Sequence, residues 1–366
     1  MSARARSESA GAPGAGTGAV VIGLDLGGTK IAAALLAADG TVLARHTRPT
    51  PARDGAPAVL DALAGAAAAV DPQRRATALG IAAAGVVDPR TGLVTSATDS
   101  IRGWAGTALG SGLADRTGYP VACDNDVRAT AVPELAALTV PGRDHTVPVT
   151  AHPQGPAPSG AGREVPGPAD PDRAASRPRR AGGGSLLFVA VGTGVGGAIA
   201  VDGRMLHGAS GIAGHLGHLP SPEAAGLPCT CGATGHLEVI ASGPGITAHY
   251  ERLTGTPVDR LESVAARAAR GDADAVRAIT VGAAAAGHVL GGLANALGPD
   301  RVVVGGGVPR IGPLYGDALA AAFASELMPP LRGLVPEPPR FGADAAVRGA
   351  AALTTLLPLH HPGAGR

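Results

Sequence analysis

Residues 19–47 read AVVIGLDLGGTKIAAALLAADGTVLARHT, and this stretch decides the fold. Three short runs, 19–25, 29–37 and 41–47, are rich in the apolar residues that strands use, and turn chemistry separates them: Gly27-Gly28 first, then Asp39-Gly40. An antiparallel start to a sheet follows. Beyond it, periodicity predicts a helix over 56–70, a strand over 76–82, a helix over 105–117, a strand over 120–123 and a helix over 127–138 with Asp126 as its N-cap. Alternation of this kind predicts an α/β domain with mixed sheets.

With 366 residues the chain is long enough for two lobes, since single cores rarely grow past about 250–300 residues. Aromatics supply only 2% of residues while hydrophobics reach 45%, so the cores are expected to be built from Ala, Val, Leu and Ile. A formal net charge of +1 gives no electrostatic reason to expect nucleic acid or an anionic membrane as partner. Three cysteines, two of them engaged below as metal ligands, leave no pair for a disulfide, which fits a reducing cytoplasm. Residues 1–18 are rich in Ser, Ala, Gly and Pro and lack an apolar signal core; a disordered tail is expected there. No run of about 18 apolar residues lacks glycine or charge, so no membrane span is expected.

The second half opens with 141–184, dense in Pro, Gly, Ala, Arg and Asp and nearly free of large apolar residues. Such a segment is read as an exposed disordered insertion, and its basic RPRR run at 177–180 as solvated linker. Strands are then expected over 185–191, 196–201 and 204–206, with a hairpin at Asp202-Gly203. Helices are expected between 244 and 297, over 314–326 and over 343–357, with a strand at 301–304.

Two kinds of motif carry chemistry. Asp25-Leu-Gly-Gly-Thr-Lys30, Gly192-Thr-Gly-Val-Gly-Gly197 and Gly305-Gly-Gly307 each lie at a strand end. There, Gly27, Gly28, Gly192, Gly194, Gly305 and Gly306 let backbone N–H groups approach phosphate oxygens, and Thr29 and Thr193 add hydroxyls. Each alone reads as readily as a tight turn; together they predict ATP held between two lobes. The second motif is His218, Cys229, Cys231 and His236, a His-x10-Cys-x-Cys-x4-His spacing of the soft and imidazole ligands that zinc prefers. Four protein ligands close the coordination sphere, so the Zn²⁺ is expected to be structural.

In that order, Asp25-x-Gly-Gly-Thr-Lys30, Asn125-Asp126, Gly192–Gly197, the Cys/His loop and Gly305–Gly307 resemble the ROK family of sugar kinases and repressors, from about Val20 to Leu357. The resemblance implies a two-lobed actin-like ATPase (ribonuclease H-like) fold with a zinc-braced loop in the second lobe. It places 19–124 in the first lobe, joined by the final helix 343–357, and 125–342 in the second. It implies Asp126 as the base that takes a sugar hydroxyl proton, in competition with its reading as a helix cap. It further implies Asn125, His218 and Glu238 as sugar contacts, and a homo-oligomer, dimer or tetramer. Asp25 would place Mg²⁺, and Lys30 reads either as a phosphate counter-charge or as an ordinary surface lysine. The repressor branch carries an N-terminal helix-turn-helix; a Gly/Ala/Ser tail stands here instead, which argues against DNA as a partner.

Two departures from the family pattern inform the substrate. Many ROK glucokinases have Gly-Glu-x-Gly-His where this chain has Gly214-His215-Leu-Gly-His218, and the family's bacterial N-acetylmannosamine kinases resemble it in carrying His. Since glutamate only accepts while neutral histidine can both donate and accept, His215 favours phosphorylation of N-acetylmannosamine over glucose. The other departure is His236, where the family usually has a third cysteine. Two further classes stay open on sequence: a silent sugar-binding protein, against which Asp126 argues, and a scaffold using 141–184.

Overall fold

A computed structural model describes residues 19–139 and 183–363, so the tail at 1–18 and the insertion, all but its last two residues, lie outside the described residues. The chain divides into two compact units, one within residues up to Asp124 and from Ala350 onward, the other over Asn125–Gly349.

The first unit is built on β1 (Val21–Leu26), β2 (Lys30–Leu36), β3 (Val42–Pro49), β4 (Ala78–Ala83) and β7 (Val121–Asn125), in the order β3-β2-β1-β4-β7. β1 to β3 form the expected antiparallel meander, and β4 runs parallel to β1 with Asp25 opposite Ala82. β3 runs two residues past its expected end and closes on Pro49, which an edge strand tolerates because that residue owes the ladder no N–H. Helix α1 (Ala56–Val70) has the predicted bounds; Val59, Leu60, Leu63, Ala66, Ala67 and Val70 form its buried stripe over β1, β2 and β3. A small ribbon of β5 (Val86–Asp88) and β6 (Leu93–Ser96) was not foreseen from sequence. It also delays the next helix: Val94 exchanges backbone bonds with Gly106 and Thr107, so α2 (Leu109–Thr117) begins four residues later than expected. Trp104 is buried behind this ribbon, its indole N–H donating to the Ala84 carbonyl at 2.9 Å.

The second unit starts with α3 (Asp126–Thr139) and centres on β8 (Leu186–Val191), β9 (Val195–Val201), β10 (Arg204–Met205), β11 (Arg301–Gly305) and β12 (Pro336–Glu337), ordered β10-β9-β8-β11-β12. The Asp202-Gly203 hairpin forms with both residues at positive φ, 49° and 77°. Short α4 (Glu238–Ala241) leads through α5 (Gly243–Thr254) and α6 (Leu261–Ala268) to α7 (Ala273–Leu297). The 25 residues of α7 are long and apolar enough to cross a membrane, yet the helix is a core element. Ala275, Ala278, Ile279, Ala283, Ala286 and Leu290 recur at helical spacing and are buried. Asp272 caps its start through the Asp274 and Ala275 N–H groups, and Gly298 ends it in the left-handed conformation. Beside it lies α8 (Pro313–Glu326); Asn295 of α7 donates to the Glu326 carbonyl at 2.7 Å and accepts the Met328 N–H at 2.9 Å. The last helix, α9 (Ala345–Leu356), spans the point where the two units divide.

Candidate functional site

In the first unit, β1 delivers Asp25 to a turn whose shape is fixed from behind. Gly27 N–H donates to the Lys30 carbonyl at 3.0 Å, and Thr50 holds the turn twice, by N–H to the Thr29 carbonyl and by hydroxyl to the Gly27 carbonyl. Gly28, Thr29 and Lys30 are left exposed. Burial pushes the Asp25 carboxyl up to about 6, against the pull of the Lys30 ammonium. The folded chain therefore holds this proton between the unfolded value and about 6, and the contribution to stability falls as pH rises through that window. A hard divalent cation held by Asp25 would compete for the same oxygen. Mg²⁺ affinity is expected to fall up to about tenfold per pH unit below about 6 and to level off above it, a dependence that Asp25→Asn removes; Mg²⁺ titrations from pH 5 to 8 check this.

The second unit gathers its candidates around residues 192–197. Val127 of α3 lies against Gly196, where a Cβ would stand 2.8 Å from its Cγ2. Gly214, at φ 90°, and Gly217 rest on the carbonyls of Gly197 and Val195, approaches that no larger residue permits. This seats the His215–His218 loop on β9. From the other side, Glu238 accepts the Val195 N–H at 2.8 Å through Oε2.

Asp126 does not cap α3, as expected from sequence; it is the helix's first residue. Asn125 takes the cap, its Oδ1 accepting N–H bonds from Val127 at 3.0 Å and Arg128 at 3.2 Å. The Asn125 amide also donates to Asp126 Oδ1 at 2.8 Å, as does the Val127 N–H, so one carboxylate oxygen is fixed by two donors. The register of one residue decides this, because Asn and Asp cap equally well. Arg128, which sequence reasoning passed over, is 1% exposed and donates to the carbonyls of Gly211 at 2.9 Å and Ala213 at 3.2 Å, holding the loop that carries His215. An arginine inside an otherwise apolar helix face was its only signal.

His215 Nδ1 lies 2.9 Å from the Ile212 carbonyl, which has no hydrogen to give, so Nδ1 carries the proton. Burial holds the ring's pKa below the ordinary histidine range; the Ile212 bond opposes this and the Arg128 and His218 charges assist it. The imidazole is thus neutral at pH 7, and Nε2 is an acceptor only. The expectation that His215 both donates and accepts is corrected accordingly: its donor is spent on its own loop.

Two of the three glycine turns meet at one cavity of about 490 Å³, lined among others by Gly192, Thr193, Gly243, Gly307, Val308 and Ile311. Gly194, Gly305 and Gly306 stand outside its lining; Gly306, at φ 98°, instead lets β11 turn tightly against Val191. The volume suits a nucleoside-sized ligand. Two thirds of this wall comes from 243–262, where the sequence predicts helices but no site. The Ser242-Gly-Pro-Gly start of α5, capped by Ser242 Oγ on the Gly245 N–H at 3.1 Å, was the available signal.

His218, Cys229, Cys231 and His236 converge as expected, with one ligand atom from each lying within 4.8 Å of all the others. His218 Nδ1 is 3.4 Å from His236 Nδ1 and 3.6 Å from Cys229 Sγ, and Cys231 Sγ is 3.3 Å from His236 Nδ1. A tetrahedral zinc with bonds of about 2.0–2.3 Å sets ligand edges of roughly 3.3–3.8 Å, so the donor set fits that ion. The loop shapes itself for this: Cys229 N–H donates to Ala233 at 2.8 Å, Gly232 N–H to Cys229 at 3.0 Å, and Gly232 turns at φ 91°. Coordination through Nδ1 leaves the His218 Nε2 edge pointing away from the metal.

The ROK family model matches residues 21–150 and 178–356. The chain belongs to the ROK family. Among ROK relatives, the N-acetylmannosamine kinase of Citrobacter koseri is 32% identical over 291 residues, 78% of this chain and 83% of that one. The glucokinase of Halalkalibacterium halodurans is 29% identical over 309 residues, 80% of this chain and 81% of that one. A solved ROK glucokinase from Streptomyces griseus, in complex with glucose and AMPPNP, is 27% identical, covers 91% of this chain and 98% of its own, and superposes with a TM-score of 0.66. The mixed α/β, actin-like ATPase fold of ROK kinases is the fold of this chain.

Proposed function

We propose that this ROK protein is an ATP-dependent sugar kinase that phosphorylates the 6-hydroxyl of a 2-acetamido hexose, N-acetylmannosamine first. The observation that carries the sugar assignment is the His215 tautomer. A glutamate has two oxygens and can accept from two neighbouring hydroxyls, whereas Nε2 of His215 accepts one hydrogen bond and carries no charge. A sugar whose C2 hydroxyl is replaced by an acetamide offers one hydroxyl fewer at this edge, which matches a single acceptor. The 32% identical N-acetylmannosamine kinase supports the manno form among such sugars.

Phosphoryl transfer needs alignment and charge neutralisation more than covalent help. Asp126, its Oδ1 steadied by Asn125 and Val127, accepts the proton of the attacking hydroxyl. The N–H groups around Gly27–Thr29 and Gly192–Thr193 receive phosphate oxygens, Lys30 adds counter-charge, and the cavity beside Thr193 holds the nucleoside. Asp25 would hold Mg²⁺, which spreads the charge of the transferred group when bound. Asn125, His215, His218 and Glu238 would contact the sugar, and Zn²⁺ on the Cys/His cluster would keep the loop that carries His218 in shape.

Glucose is the second reading, favoured by the 29% identical glucokinase and by the fact that His215, like glutamate, presents only an acceptor. A coupled ADP-release assay with N-acetylmannosamine, glucose, N-acetylglucosamine and mannose separates the two. The highest kcat/KM is expected for N-acetylmannosamine, and His215→Glu is expected to shift the preference toward glucose by about 10- to 100-fold. A glucose preference in the unaltered chain overturns the acetamido assignment and keeps the kinase.

A further inference from the structure

Glu238 lies two residues beyond the metal-cluster residue His236 and opens α4. Its carboxylate is not turned wholly toward a sugar: Oε2 accepts the Val195 N–H at 2.8 Å, at the end of the turn whose Gly192 and Thr193 line the nucleoside-sized cavity. The fit is close, since a Cβ on Gly194 would stand 2.6 Å from that oxygen. The same segment holds the turn's other end, where Gly243 N–H donates to the Gly192 carbonyl at 2.8 Å. Residues 238–243 therefore grip residues 192–195 at both ends. At its near end that grip is rooted in the metal loop, where His236 bridges to Pro220 and Leu237 N–H donates to the Leu219 carbonyl at 2.8 Å.

We propose that Glu238 is a positioning residue for the nucleotide: it ties the metal loop to the phosphate turn, so that the metal sets the affinity for ATP as well as the shape of the sugar loop. The proposal rests on the reading of this chain as an ATP-using kinase. A carboxylate beside a phosphate site would repel the ligand if it faced it. Here one oxygen is spent on the Val195 N–H, and that bond would steady the turn whose Thr193 and Gly194 N–H groups are offered to an anion.

The test is calorimetric binding of Mg·AMPPNP without sugar, a readout that a sugar contact alone does not move. Glu238→Ala is expected to weaken binding about tenfold, the weight of one charge-assisted hydrogen bond. Glu238→Gln, whose amide oxygen can still accept the Val195 N–H, is expected to stay within about threefold of the unaltered chain. Gly194→Ala, whose Cβ would crowd the carboxylate off the Val195 N–H, is expected to reproduce the alanine loss and serves if Glu238→Ala fails to fold. Stripping the metal with a chelator is expected to weaken nucleotide binding in the unaltered chain and to add little in Glu238→Ala. Unchanged nucleotide affinity in Glu238→Ala and Gly194→Ala overturns the tether while leaving the kinase reading intact. Equal chelator effects in both backgrounds overturn the link to the metal. Failure of the unaltered chain to bind Mg·AMPPNP sinks the kinase reading itself, and the tether with it.

Discussion

Asp126→Asn is expected to lower kcat by about 10²- to 10⁴-fold while nucleotide and sugar dissociation constants stay within a few-fold. The substitution is isosteric, and its amide oxygen can still accept the Val127 N–H that Asp126 Oδ1 accepts at 2.8 Å. Helix α3 should also keep its start, because the cap belongs to Asn125 and not to the altered residue. What disappears is the ability to take a proton from the attacking hydroxyl. Steady-state ADP release gives kcat, and calorimetry with sugar and with Mg·AMPPNP gives the two affinities. A kcat within about threefold of the unaltered enzyme would assign the base elsewhere and reduce Asp126 to a helix-start residue.

The next largest effect is expected from the metal cluster. Cys229→Ala removes the buried thiolate of the four-ligand set, and the remaining His218, Cys231 and His236 are expected to lose zinc on dialysis. Elemental analysis should give close to one zinc per unaltered chain and none per variant. The loop from Leu216 to Leu237 contributes few apolar anchors of its own, chiefly Leu216, Ala224 and Leu237, so a bound metal would carry much of its order. Sugar kcat/KM is expected to fall by about 10²-fold or more, since the His215 and Glu238 contacts are both rooted in this loop. Hydrogen exchange should speed up across 216–238 and stay slow in the α7 core, which distinguishes a loosened loop from a misfolded unit. Retained zinc and full activity in Cys229→Ala would remove the structural role.

The elements of this fold were legible wherever local pattern and burial agree. The β1–β3 meander, α1 with both its ends and the Asp202-Gly203 hairpin all follow from alternation, helical spacing and turn residues. The cluster of His218, Cys229, Cys231 and His236 was readable because ligand chemistry survives without coordinates. What escaped depends on contacts distant in sequence. The start of α2 is set by the pairing of Gly106 and Thr107 with Val94, which periodicity does not encode. Asn125 and Asp126 are equivalent as caps on paper, and only the helix register separates them. Arg128 gains its meaning from carbonyls 83 and 85 residues away, and His215 loses its donor to a carbonyl three residues back. The cavity wall from 243 to 262 is two amphipathic helices and their connection until α5 and α6 are set beside the Gly192 turn.

The burial of Trp104 has a practical corollary for spectroscopy. It is the chain's one tryptophan, it lies 2% exposed within the first unit, and its indole is anchored on the Ala84 carbonyl. Its emission is therefore an optical tag for that unit alone, while the three tyrosines, Tyr119, Tyr250 and Tyr315, are shared between the units. Melting followed at tryptophan wavelengths and melting followed by far-ultraviolet ellipticity should part company once zinc is withdrawn, and the gap between the two curves would measure how independently the halves of this molecule unfold.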